Sequence, residues 1–540
     1  MKPTVALRSS VRRLLPHETL RGNNTMKARV LRGEVFSFQV VFRMDEFKQV
    51  SIKLKGKAAA WSQVRRIGLV PVHRHTLMIP SDCIEQKAPC FAADPLFPDA
   101  GEPIVSDGGV CGGYWITVRV PRDARKGTAI LEPSIAIDGK PAWRGKVTLE
   151  VLPVEQPELP AIPVTNWFYC DAIMDWYGLE PWSPEHFRML EPYMRSAREH
   201  GQNVILTPTI TPPLDGVKTP HQLVGIRETS PDNYRFDMTN LRKYLRLVKR
   251  LGFEWVELAH LFTQWGARYA PAIYGAKGRG KKAVRLFDAE EPATGKRYRR
   301  FLEQFLPAAI DEVAKAGYRD RTIHHLSDEP HADHIDNYRA IGRMVREIDP
   351  SIRFTDCLSS VEMYRQDLVD NPVPSIRVAK EFYREKRTPT WVYFCCNPKG
   401  RFINRFLDIP LNSFRMLGWT MWKHKAAGFL HWGFNYWYVS QTNRLLDPYM
   451  ETDGRARRGW SAGDTFLVYP GAEGPVESIR HETFRETMQD HALLRRMDED
   501  GIDLRDIANP LRGYDRFPRE DTWTENARQS LLKRLSKRKR

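Results

Sequence analysis

Nine residues, Leu152-Pro153-Val154-Glu155-Gln156-Pro157-Glu158-Leu159-Pro160, divide the chain between two patterns that do not suit one kind of sheet. Three closely spaced prolines bias this stretch toward an extended linker. Before it, apolar residues recur with a period of two. Phe36, Phe38, Val40 and Phe42 alternate with Ser37, Gln39 and Val41; Ile116, Val118 and Val120 alternate with Thr117 and Arg119; Val147, Leu149 and Val151 repeat the pattern. Such runs, separated by Gly, Pro and Asp turns, predict an antiparallel β-sandwich domain over residues 1–155.

After the linker, short apolar runs alternate with amphipathic helices. Strands are expected near 162–169, 203–206, 255–261, 322–327, 353–358, 368–373, 391–395 and 428–432. Between them, stripes such as Leu241, Tyr244, Leu245 and Val248, or Tyr298, Phe301, Leu302, Phe305, Ile310 and Val313, have helical spacing and end near Gly252 and Gly317. Another stripe, Tyr338, Ile341, Val345 and Ile348, precedes Asp349-Pro350. Ser183-Pro184-Glu185 is a good helix start, but Pro192 should kink or split that helix. The α/β alternation predicts a (β/α)8 TIM barrel over 160–445, with a doubly wound open sheet as the alternative. The long connections at 207–235 and 262–296 are expected to be lids or binding loops. Residues 464–497 should add a strand at Phe466-Leu467-Val468-Tyr469 and a helix packing on the barrel. The polar, basic tail 498–540 is expected to pack loosely or be disordered.

Composition narrows the function classes. With 540 residues, 42% hydrophobic, and 15 Trp, the chain can bury sizeable cores. It has no run of about 18 apolar residues and no apolar signal-peptide core near Met1, so no membrane partner and a cytoplasmic location are expected. The seven cysteines include no C-x-x-C pair, which disfavours a zinc ribbon or a disulfide framework. The net charge of +17 is concentrated partly in Lys277–Lys282 and in the tail Lys533–Arg540. Neither run is interleaved with aromatic residues, so a solvated basic surface is favoured over a nucleic-acid partner.

The expected fourth barrel strand ends in Ser327-Asp328-Glu329-Pro330. Adjacent carboxylates at the mouth of a barrel suit acid–base chemistry, because different surroundings can give the two groups different protonation states. The alternative is a helix start, where acidic residues favour the dipole. His324, His325, His331 and His334 surround the pair, but structural hydrogen bonding is favoured over a metal, and no metal or cofactor is called for. Gly275–Lys281 imitates a phosphate loop, yet Lys282 stands where the magnesium-binding Ser or Thr is required. Gly459-Trp460-Ser461-Ala462-Gly463 imitates a nucleophile elbow without the preceding buried strand.

The second informative stretch is His431-Trp432-Gly433-Phe434-Asn435-Tyr436-Trp437, at the end of the eighth expected strand. Aromatic faces beside hydrogen-bonding groups suit a carbohydrate partner, although the same composition also serves a barrel-top core. Trp432, Asn435, Tyr436 and Trp437 are candidate sugar contacts. Trp167, His260, Trp265, His325, Tyr393, Asn397 and Trp419 could join the same rim.

Together these segments resemble the catalytic domain of glycoside hydrolase family 123, also catalogued as domain of unknown function 4091. The resemblance is carried by His325–Pro330, His431–Trp437, and Tyr469-Pro470-Gly471 followed by Ser478-Ile479-Arg480-x-Glu482-x-x-Arg485. Arg32–Gln39 resembles the sandwich domain that precedes it. The resemblance implies a β-N-acetylgalactosaminidase-like enzyme acting by substrate-assisted retention. The sugar's 2-acetamido oxygen would attack the anomeric carbon, Asp328 would orient that amide, and Glu329 would act as acid and then base. A Tyr hydroxyl, from Tyr393 or Tyr436, would hold the acetamido oxygen. Two rival readings stay open: a glycosidase using another carboxylate, such as Glu257 or Asp356, on a sugar lacking the acetamide, and a non-catalytic carbohydrate-binding protein.

Overall fold

The structure, a computed structural model, describes residues 3–385, 387, 390–456 and 460–537. Gly459 of the elbow-like motif and residues 538–540 of the basic tail lie outside the described residues.

The N-terminal region is a two-sheet sandwich. Thr4–Ser9, Val35–Arg43, Cys111–Arg119, Ser62–Val72 and Cys90–Pro98 pair in that order. The opposing sheet runs Thr25–Arg32, Lys146–Glu155, Gly127–Ile137, Lys48–Lys55, Ile104–Ser106. Phe38, Val40 and Phe42 from the first sheet share one buried cluster with Leu131, Val147 and Leu149 from the second, as their alternation requires. One pairing departs from the antiparallel expectation: Lys146–Glu155 lies parallel to Thr25–Arg32. Side chains alternate identically in parallel and antiparallel strands, so the sequence pattern does not distinguish them.

The first sheet is completed from far along the chain. Pro475–Ser478 pairs with Cys90–Pro98, and Tyr469–Pro470 pairs with Pro475–Ser478. The strand expected at 466–469 is thus displaced, and it extends the sandwich. The helix Ile479–Glu499 packs against helix Leu411–His424 of the central region and also covers the outer face of this sheet. There Arg65 pairs with Glu477 and Glu482, Arg485 pairs with Glu482, and Ser37 Oγ donates to Glu482. The alternate residues of the sandwich strands are therefore buried too, as a charged and polar layer.

The tail expectation is overturned. Asp521–Lys537 is a helix that buries Leu531 and Leu532, while Arg528 bridges Glu34 of the sandwich and Asp490 of the Ile479–Glu499 helix at 2.5 Å each. Its apolar stripe is sparse among charged residues, so composition alone reads as solvated. Pro192 also fails to break its helix, which runs unbroken from Pro184 to Glu199. Burial of Leu190, Tyr193, Met194 and Ala197 along that helix offsets the missing backbone hydrogen bond.

In the central region, all eight expected strands occur: Val164–Asn166, Val204–Thr207, Trp255–Leu258, Thr322–Ile323, Thr355–Leu358, Asn371–Pro374, Trp391–Tyr393 and Gly428–His431. They pair in parallel within three ladders. Single parallel bridges, His324 to Phe354 and Ser375 to Tyr393, connect neighbouring ladders. Between the first and second strands, Asn203 N–H donates to Val164 O at 3.2 Å. One continuous closed sheet is not formed. The fourth strand is shorter than expected, because its backbone leaves regular pairing before the acid pair. The long connections after the second and third strands contribute jointly to a four-stranded sheet, Asn233–Asp237, Gly225–Ser230, Tyr274–Lys277, Val284–Arg285. The basic 277–282 stretch is the exposed turn of its last hairpin, and no phosphate loop forms.

Candidate active site

The acid pair lies beyond the fourth strand. Backbone N–H groups of Leu261 and Phe262 donate to His325 O and Leu326 O, which carries the third and fourth chain segments side by side to the rim. Trp265 N–H then donates to Asp328 O at 3.0 Å. Glu329 follows with a φ of 47°, a left-handed conformation costly for a side-chain-bearing residue. This turn places the two carboxyl groups in different surroundings. Asp328 is 4% exposed and accepts from Gln264 Nε2 at 2.6 Å, whereas Glu329 is half-buried and accepts from Tyr393 Oη at 2.8 Å. Burial, followed by the neighbouring charges of Glu329 and Asp215, raises the Asp328 pKa well above the usual carboxylate range.

Asp215, on the loop after the second strand, is a third carboxylate that the sequence reading missed. Tyr169 Oη donates to its Oδ2 at 2.6 Å, and Tyr436 Oη donates to its backbone carbonyl at 3.0 Å. Burial and Glu329 raise its pKa, while Lys218, Tyr169 and Gln264 oppose the shift. Lys218 is itself buried, 4.2 Å from the Tyr169 ring centre and 4.8 Å from that of Tyr436. The Leu-Asp-Gly turn containing Asp215 looks like an ordinary loop in sequence; only the distant tyrosines reveal its role in the rim.

The aromatic run and the acid pair are thus tied at one end of the strands, through Tyr436, Asp215, Gln264 and Asp328. The run itself divides. Trp432 packs on Trp460 and Tyr436, with ring centres 4.9 and 5.1 Å away, and its Nε1 donates to Asp464. Asn435, expected as a sugar contact, is buried and clamps the Tyr169 backbone with both ends of its amide. Trp437, also expected there, is buried between Trp176 and Tyr193 and donates to Val468 O. Trp419 does not reach the rim: its Nε1 donates to Asp490 at the junction with the Ile479–Glu499 helix. On a helix buried along most of its length, an indole at a domain junction has the same sequence signature as one at a site.

Trp167, His260 and His325 form a buried stack beneath the rim, where Glu257 is 0% exposed. Glu257 accepts from Trp167 Nε1 at 2.8 Å and Thr165 Oγ1 at 3.0 Å, with His325 Nε2 2.8 Å away. These three expected sugar contacts therefore form an interior polar core. The histidines do not gather on the acid pair: His331 and His334 cap each other, and burial lowers His324 to about 4. Asp356 is also interior, accepting from Tyr338 Oη at 2.5 Å, and burial raises it to about 7. The open aromatic surface beside the pair is Trp265, 46% exposed. Among the described residues, one group, His200, Glu477 and His481, has metal-ligand proximity. Arg65 and Arg485 surround it at the sandwich junction, away from the rim.

A pair of carboxylates on a strand-end loop near an exposed indole, tyrosines and an amide is compatible with a site of the glycosidase class. The sequence supports this independently: residues 167–497 match the family described as glycoside hydrolase 123, catalytic domain, and the chain belongs to that family. Its fold is similar to that of a family 123 glycoside hydrolase from Clostridium perfringens, structurally analysed for glycolipid glycan hydrolysis, with a TM-score of 0.74 at 15% identity, covering 99% of this chain and 97% of the other. A family 39 glycoside hydrolase from Bacteroides cellulosilyticus aligns over 82% of each chain at 10% identity, with a TM-score of 0.33. No curated protein sequence matches the chain. No helix among the described residues is long and apolar enough to cross a membrane.

Proposed function

We propose that this glycosidase removes a β-linked N-acetylhexosaminide, of the N-acetylgalactosaminide kind, from the end of a glycan by substrate-assisted retention. The eight parallel strands are read as a distorted (β/α)8 ring that presents the site at its carboxyl end. The observation that carries the mechanism is the asymmetry of the pair: Asp328 is buried against Gln264, and Glu329 is more open against Tyr393. In this scheme Asp328 acts in its ionised form: burial and the neighbouring carboxylates push it toward the acid form, and the Gln264 donor pushes back. The substrate acetamide N–H donates to the ionised Asp328 while the acetamide oxygen closes on the anomeric carbon. Glu329 delivers a proton to the leaving oxygen and later takes one from water. A substrate nucleophile removes the need for an enzyme carboxylate about 5 Å across the bond from the acid. Trp265 offers a stacking face. Tyr393 is the closest candidate to hold the acetamido oxygen once Glu329 turns to the leaving group. The glycolipid glycans of the C. perfringens relative indicate a substrate class to test first.

The interior placement of Glu257 and Asp356 argues against either as an alternative nucleophile, since each is enclosed by fixed donors. The test is a panel of nitrophenyl glycosides with and without a 2-acetamido group. Cleavage confined to acetamido sugars, with inhibition by a thiazoline analogue, is the expected result. Equal turnover of sugars lacking the acetamide overturns the mechanism, and no turnover of any glycoside favours a binding protein.

A further inference from the structure

Gln264 lies on the loop after the third strand, between two groups that fix which way its amide faces. Its Oε1 accepts from Asp215 N–H at 3.0 Å, and its Nε2 donates to Asp328 Oδ2 at 2.6 Å. A backbone N–H only donates, so the amide oxygen must face Asp215, and the amide cannot turn over. The NH2 end therefore faces Asp328. It too only donates, which confines Oδ2 to accepting.

We propose that Gln264, oriented by the Asp215 backbone, is a positioning residue that reserves Asp328 Oδ2 as an acceptor, so that Oδ1 is the oxygen that carries the proton in the acid form and, once ionised, accepts from substrate. This rests on the glycosidase reading above, in which the acetamide N–H donates to Asp328; the accepting oxygen would then be ionised Oδ1.

The support extends beyond one hydrogen bond. Asp215 has a φ of 56° and Gly216 one of 100°, and a Cβ on Gly216 would lie 2.5 Å from the Gln441 backbone. The turn is thus held against the loop after the eighth strand, with Tyr436 and Tyr169 bonded to Asp215 itself. The charges that act most strongly on Asp328 are Glu329 from its own loop, Asp215 from the second loop and Asp356 from the fifth strand, with the Cys357 thiol adjacent. All three are carboxyl groups, and Gln264 is the neutral donor set against them. Without it, Asp328 should hold its proton more tightly.

The decisive variant is Gln264→Met, similar in length and without an amide; Gln264→Leu replaces it if the first does not accumulate. Carboxyl-13C aspartate labelling, with the Asp328 resonance assigned from Asp328→Asn, gives a titration that does not depend on activity. The expected result is a shift of the Asp328 titration to higher pH by about one unit. The acidic limb of kcat/KM on an acetamido glycoside should move by the same amount, about a tenfold loss of rate below it. An unshifted titration in a folded variant overturns the proposal. If the shift appears while the unaltered enzyme cleaves no acetamido glycoside, the proton placement is supported and the glycosidase mechanism is overturned.

Discussion

Tyr393 Oη donates to Glu329 Oε1 across 2.8 Å, joining the seventh strand to the loop after the fourth. Glu329 is thereby held by a group from a different βα unit, so under the proposed mechanism the position of the acid depends on two distant strands keeping their spacing. Tyr393→Phe should lower kcat/KM about tenfold on acetamido glycosides. Glu329→Gln should lower it by about 10² to 10⁴, the usual range for a lost general acid. The loss should be greatest for glycosides with poor leaving groups. Steady-state kinetics on a leaving-group series checks both; a uniform loss along the series removes Glu329 from the acid role.

Asp356 sets a pH dependence of stability. Its folded-state pKa is raised to about 7 by burial, against the ordinary carboxyl value of 3.8. A raised carboxyl contributes stability that is complete below its unfolded pKa and is lost as pH rises through the folded one. The loss therefore falls between about pH 4 and pH 7. Asp356→Asn keeps an acceptor for Tyr338 and removes the charge, so its melting temperature should fall less than that of the unaltered protein from pH 5 to pH 8. Asp464, also raised to about 7, leaves a residual fall in the variant. Thermal unfolding at the two pH values decides; identical falls rule out Asp356 as the source.

Glu482 is buried between Arg65, Arg485 and His200 where the sandwich meets the long C-terminal helix. Glu482→Gln leaves two buried guanidinium groups without their shared countercharge. Breaking a buried ion pair from one side costs about 3–5 kcal/mol. Urea unfolding should show a loss of that order, and a loss below about 1 kcal/mol would place the pair among solvent-screened surface bridges.

At Gly418 the helices Leu411–His424 and Ile479–Glu499 come close together: a Cβ there would lie 2.1 Å from Thr487 O, a backbone atom. Gly418→Ala should cost about 1–3 kcal/mol or more by forcing the helices apart, despite alanine's better helix propensity. Chemical denaturation measures it. A stabilised variant would show that the helices separate at little cost.

The eight parallel strands are legible because buried strands appear as short apolar runs between helical stripes, and the acid pair is legible because two carboxylates end such a run. What the pattern conceals is direction and depth. Trp265 and Trp419 are equivalent as letters, yet one is 46% exposed beside Asp328 and the other is wedged against Asp490. Trp167, His260 and His325 sit at strand ends as expected, but Trp167 and His325 point inward onto Glu257 with His260 stacked against them, since bundled short strands have an interior polar layer as well as an outer end. Asp215 and Gln264 lie on loops without periodicity, so their meeting depends on tertiary folding alone.

The pairing of Pro475–Ser478 with Cys90–Pro98 has a consequence for biosynthesis. At about 5–20 residues per second, the ribosome takes roughly 20 to 75 s to go from the first of these segments to the second. Throughout that interval the nascent sandwich exposes unpaired backbone N–H and C=O groups along one border. During translation, any chaperone or neighbouring nascent chain competes for that border with a segment the protein has yet to make.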